Sequence, residues 1–131
     1  MSRTVLSING NKPMNYMLQT VLSRKYKISA VADVFQGMQQ LKKNEAIELI
    51  VVDVDFNTEE SWEFIQHIKT SWIYNRPVVV LTSDKSLSAK EKNAQSGVDY
   101  YFQKPFSPVD LVKTIDALLY TPASSQSIFS A

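Results

Sequence analysis

"LIVVDVDF", residues 49–56, is the stretch that decides the fold. Four apolar residues in a row, three of them β-branched, run into Asp53-Val54-Asp55. An unbroken run without polar alternation marks a strand covered on both faces, as in a parallel sheet flanked by helices. A carboxylate ending such a strand lies at the carboxyl edge of the sheet, where open α/β folds keep their ligand crevice.

Outward from this strand the chain alternates strand and helix. Downstream, Trp62, Ile65 and Ile68 lie three apart on a helix, and Arg76-Pro77 forces an extended entry into the apolar Val78–Thr82. Ser88 and Glu91 fit a capping box opening a short polar helix that Gly97 ends. Tyr100-Tyr101-Phe102 is a fifth strand that stops at Lys104-Pro105, and Pro108 suits the first turn of a closing helix striped by Leu111, Val112, Ile115, Leu118 and Leu119. Upstream, Lys27–Val31 alternates like a half-buried edge strand before a helix marked by Val34, Met38 and Leu41. Val5, Leu6 and Ile8 form the first strand, and Met14, Met17, Leu18, Val21 and Leu22 follow at helical spacing. Five strands alternating with five helices imply right-handed crossovers and a parallel sheet with helices on both faces. Residues 1–120 read as one domain, and the Ser-rich 121–131, without periodicity, as a fraying tail.

Composition removes whole classes of chemistry. Lys and Arg number 14 against 13 Asp and Glu, so no net field favours nucleic acid. The absence of cysteine excludes disulfides, thiolate nucleophiles and cysteine-held metals, and a single histidine excludes most zinc sites. No apolar run approaches the ~18 residues of a membrane span. A cytoplasmic protein with no direct nucleic-acid or membrane contact is expected.

The residues to interrogate sit where strands end: Asn9–Asn11, Asp53–Asp55, Thr82–Ser83 and Lys104. With the first and third strands central, Asp53, Thr82 and Lys104 converge. A carboxylate, a hydroxyl and an ammonium around one point suit phosphoryl transfer to the carboxylate, with the other two groups holding the phosphoryl oxygens.

Three stretches, "LIVVDVDF", "PVVVLTS" (77–83) and "SGVDYYFQKPFSPVDL" (96–111), resemble the response-regulator receiver domain of two-component signalling over roughly residues 3–120. The resemblance implies a flavodoxin-like (βα)5 fold with strand order 2-1-3-4-5. It implies Asp53 as phospho-acceptor from a histidine kinase or phosphotransfer protein, Thr82 and Lys104 on the phosphoryl group, and Tyr101 as a rotamer switch coupled to Thr82. Output would pass to a protein partner through residues around 88–113, with Ala89, Ala94, Val98, Tyr101, Phe106 and Val109 as its surface, and homodimer and monomer both stay open. No enzymatic activity is expected beyond autophosphorylation of Asp53 from a phosphodonor. With no output domain following residue 120, the protein either acts by docking or is a piece of a longer regulator.

The departures are as informative. Receivers usually end the first strand in paired acids that hold Mg2+, whereas here Asn9 and Gly10 stand there. Amides cannot replace the missing charge, so a weak or absent Mg2+ site is expected, made of Asp53, Asn9 and the side chain of Asp55. Asn9-Gly10 also reads simply as a tight turn. The loop "NTEES" (57–61) lacks the family's usual proline and glycine, and Glu60 fits a helix first turn. Two readings remain. One is an atypical receiver working by protein contact, with Asp53 a carboxylate paired to Lys104. The other is a working receiver phosphorylated on Asp53. His67 reads as a solvated residue, and Trp62, Trp72 and Tyr74 as core or contact residues.

Overall fold

The computed structural model describes residues 3–88 and 97–120. Five parallel strands, β1 (Thr4–Ile8), β2 (Lys27–Val31), β3 (Ile47–Asp53), β4 (Val78–Thr82) and β5 (Tyr100–Gln103), form one sheet in the order β2-β1-β3-β4-β5. This is the flavodoxin-like order expected from the resemblance. Helices α1 (Lys12–Leu22), α2 (Val34–Lys43), α3 (Thr58–Thr70) and α4 (Pro108–Tyr120) accompany it, with a 3-10 turn at Lys85–Ser88. Most of the polar helix expected before Gly97 lies outside the described residues, as do Ala89, Ala94 and the tail 121–131. Gly97 itself has φ +72°, backbone that glycine tolerates without a Cβ penalty.

The apolar run of β3 is divided between two cores by the period of 2 of a strand. Ile50 and Val52 join Leu6, Ile8, Val78 and Val80 beneath α2 and α3, where Leu41, Ile65 and Ile68 meet them. Leu49 and Val51 join Val5, Val79, Leu81 and Phe102 beneath α1 and α4, where Leu18, Leu22, Leu111 and Ile115 meet them. Both faces of the sheet are thus covered, which is why the run shows no polar alternation. The partly exposed β2 lies at the edge, as its alternation predicts.

Local chemistry fixes where each helix begins. Asn11 caps α1 by accepting from the Met14 amide at 3.0 Å, Asp33 caps α2 by accepting from Gln36 at 2.9 Å, and the Ser107 hydroxyl accepts from the Asp110 amide in α4. The start of α3 has no such cap, and Asn57 takes the left-handed region with φ 49°. Glu59 and Glu60 occupy its first turn, where acids offset the helix dipole. The peptide bond between Lys104 and Pro105 is cis.

Candidate functional site

Parallel pairing puts the carboxyl ends of β1, β3, β4 and β5 side by side, with Ile8 opposite Val52, Asp53 opposite Leu81, and Thr82 opposite Gln103. Asp53 closes β3 with its side chain fully buried. Its Oδ1 accepts from the Asp55 amide at 3.0 Å. Its Oδ2 stands 2.5 Å from the Lys104 ammonium, a contact that neutralises the charge but lacks the direction of a hydrogen bond. Thr82 closes β4, also buried. Lys104 follows β5 and bridges Asp53 to Asp55, 3.0 Å from the latter's Oδ2. Asp53, Thr82 and Lys104 therefore do meet, through Asp55.

Asp55 is the centre of that cluster. Its carboxylate accepts from the Thr82 hydroxyl at 3.1 Å, from the Ser83 amide at 3.1 and 3.0 Å, and from Lys104. Burial pushes its carboxyl up, but the Lys104 and Ser83 hydrogen bonds outweigh burial and hold it below the usual carboxylate range. Burial likewise pulls Lys104 down, and the carboxylates of Asp53 and Asp55 paired with it overcome burial, leaving the ammonium harder to deprotonate than usual.

On the β1 side the chain builds a turn. Asn9 is buried, and its Oδ1 accepts from the Asn11 amide at 2.8 Å, an Asx turn that leads into the Asn11 cap. Its Nδ2 has no hydrogen-bond partner. Asn15, which no motif marks, ties this turn down: its amide donates to the carbonyls of Asn9 and Val31, while the buried Ser7 hydroxyl donates to its Oδ1. Gly10 lies under Phe56, and a Cβ at position 10 would stand 3.0 Å from Phe56 Cγ and 3.1 Å from its Cβ. The Lys104 ammonium lies 5.6 Å from the centre of the same ring.

Magnesium keeps several waters and takes one or two carboxylates. The Asn9 oxygen is spent on the turn, the Asp55 carboxylate faces β4 and β5, and Asp53 is held by Lys104. Among the described residues no three acidic, histidine or cysteine side chains gather as ligands. As arranged, this donor set does not fit a hydrated magnesium ion.

Tyr101 is half-buried, packed on the first core with its ring centre 6.3 Å from that of Trp62. Tyr74 packs there too, whereas Trp72 is fully exposed. His67 is exposed and lies beside Tyr74. Of the expected output surface, Val98 is core, Phe106 leans on the second core, and Val109 is 61% exposed.

Sequence reasoning singled out Asp55 but aimed its side chain at a metal, named Ser83 as a strand-end residue without giving its amide a role, and did not single out Phe56 or Asn15 as parts of the site. Only Phe56 carried a signal, a bulky aromatic directly after the strand-end acids where the chain turns.

A family model described as the response regulator receiver domain matches residues 5–116. The hybrid signal transduction histidine kinase D of Dictyostelium discoideum is 29% identical over 125 residues, covering 93% of this chain and 8% of that protein. The heme response regulator HssR of Staphylococcus haemolyticus is 36% identical over 76 residues, 58% of this chain and 33% of that protein. The chain thus spans only part of the length of these relatives. Among solved structures, the chemotaxis protein CheY4 of Vibrio cholerae superposes with a TM-score of 0.80 at 23% identity, over 91% of this chain and all of that one. A response regulator from Thermotoga maritima gives 0.78 at 22% identity, over 92% and 100%.

Proposed function

This chain belongs to the response regulator receiver domain family, and from that premise we propose that it is an atypical receiver, with weakened Mg2+-dependent phosphorylation, that signals by protein contact. Residues 1–120 are the receiver unit of a two-component system, cytoplasmic and without catalysis of its own. Among the described residues no helix is long and apolar enough to cross a membrane. The observation that carries the reading is Gly10 under Phe56, which sets a ring against the position where the family carries an acid. Without the cation, the charge that gathers as a phosphoryl group approaches the buried Asp53 is offset, among the described residues, by Lys104.

The second reading, a receiver phosphorylated on Asp53 by a histidine kinase or phosphotransfer protein, is favoured by the meeting of Asp53, Thr82 and Lys104 at one point. Incubation with a small acyl phosphate, with and without Mg2+, followed by intact mass, separates the two. The atypical reading expects little or no adduct and no gain from Mg2+. A stoichiometric adduct that needs Mg2+ and vanishes in Asp53→Asn would overturn it.

A further inference from the structure

We propose that the Asp55 carboxylate is a built-in occupant of the phosphoryl-oxygen site, standing in for a phosphoryl group on the neighbouring Asp53. The inference deepens the atypical-receiver reading and rests on it for the identity of the site.

An oxyanion next to Asp53 needs hydrogen-bond donors or a cation to hold its charge. Donors must come from outside β3 and converge on a point beside its end. Among the described residues the Thr82 hydroxyl, the Ser83 amide and the Lys104 ammonium do so: one hydroxyl, one backbone N–H and one cation. Such a set binds phosphate or carboxylate oxygens well, because charge-assisted hydrogen bonds to an anion are short and strong. All three already donate to Asp55 at 3.0 to 3.1 Å, with both its carboxylate oxygens engaged, and Lys104 touches Asp53 as well. The neighbouring Asp55 amide binds Asp53 Oδ1, which fixes how the two residues lie relative to each other. A carboxylate has the charge and the planar pair of oxygens to replace two oxygens of a phosphoryl group, and it arrives tethered, so it outcompetes a free anion at any ordinary concentration.

Two consequences follow. Thr82 is drawn toward Asp55 without phosphorylation, and Tyr101 lies half-buried against Trp62 on the core. The chain then displays an engaged form constitutively. A phosphoryl group arriving at Asp53 has to displace Asp55 before it can take the Thr82 hydroxyl and the Ser83 amide.

The test needs no phosphoryl transfer, so its failure is distinct from that of the reading above. The Ser83 amide is followed by two-dimensional NMR, and Trp62 by fluorescence in a Trp72→Phe background, where it is the sole tryptophan. Asp55→Ala should move the Ser83 amide proton upfield and change Trp62 emission as Tyr101 loosens. Should Asp55→Ala fail to fold, Asp55→Asn, which keeps the shape and loses the charge, is read the same way. Inorganic phosphate should then shift the Ser83 amide in an Asp53→Asn/Asp55→Ala chain, where the donors face a vacancy, and leave it still in the native chain. An unchanged Ser83 amide and Trp62 emission without Asp55, a phosphate response in the native chain, or none in the double variant would each overturn the proposal.

Discussion

Restoring the two acids at the end of β1 should create a magnesium site only when Phe56 is also removed. In Asn9→Asp/Gly10→Asp, the new Cβ at position 10 meets Phe56 at 3.0 to 3.1 Å, closer than an unstrained contact. Forcing such overlap costs about 1–3 kcal/mol, toward the low end here because Phe56 is 40% exposed and has room to yield. Phe56→Ala removes that overlap. At a Mg2+ concentration 100 times the dissociation constant, binding stabilises the folded state by about 2.7 kcal/mol. For a domain of this size that is a rise of roughly 10 °C in Tm. The assay is thermal unfolding of the native, double and triple variants with and without MgCl2, at constant ionic strength. The native chain should show no Mg2+-specific shift, the double variant a small one and the triple variant the full rise. A triple variant that responds no more than the native chain would refute the reasoning, because it would mean that neither the missing charge nor the ring is what excludes the ion.

Other expectations follow from contacts elsewhere in the molecule. Gly37 on α2 lies against β1, and a Cβ there would meet Ile8 Cδ1 at 2.5 Å, so Gly37→Ala should destabilise by about 1–3 kcal/mol despite the better helix propensity of alanine. Ile8→Val deletes that methyl, and urea unfolding of the double variant should show a coupling of about 1 kcal/mol, absent if α2 simply shifts. Asp55, whose folded pKa is depressed, contributes stability that is present above its unfolded value of 3.8 and lost as pH falls through the lower folded value. The gap in urea midpoint between the native chain and Asp55→Asn should therefore close on acidification below that value, and a gap independent of pH would contradict the pairing. Lys104, raised above 10.5, contributes in the opposite sense: its share is intact below 10.5 and lost as pH rises through the folded value. Native unfolding midpoints should fall on that alkaline limb, and Lys104→Met should abolish that part of the fall. Asn11→Ala removes the side chain that accepts from Met14, and chemical denaturation should register about 1 kcal/mol lost, with nothing lost if water replaces the cap.

The alternation of strand and helix and the meeting of Asp53, Thr82 and Lys104 were legible in the sequence because both depend on short-range pattern. A strand of period 2 covered on both faces leaves an unbroken apolar run, which is why Leu49–Val52 could be read as covered on both faces from residue types alone. Once the strands are parallel, their carboxyl ends come together whatever the loops do, so strand-end residues declare themselves. The Asx turn at Asn9 is likewise local, spanning two residues.

What the tertiary structure alone decided is the direction of the side chains after those ends. Asp55 is two residues past the acceptor, and its sequence context is equally compatible with facing a cation beside Asn9 or the donors of β4 and β5. The choice falls to Thr82, Ser83 and Lys104, which lie 27 to 49 positions away and reach it only through sheet pairing. Phe56 over Gly10 is the same kind of fact, since a missing side chain in one loop makes room for a ring from another, and only packing brings the two together. The sequence alone thus determined which residues gather, through periods of 2 and 3.6, and folding in three dimensions determined which of them pair, through distances that no local pattern encodes.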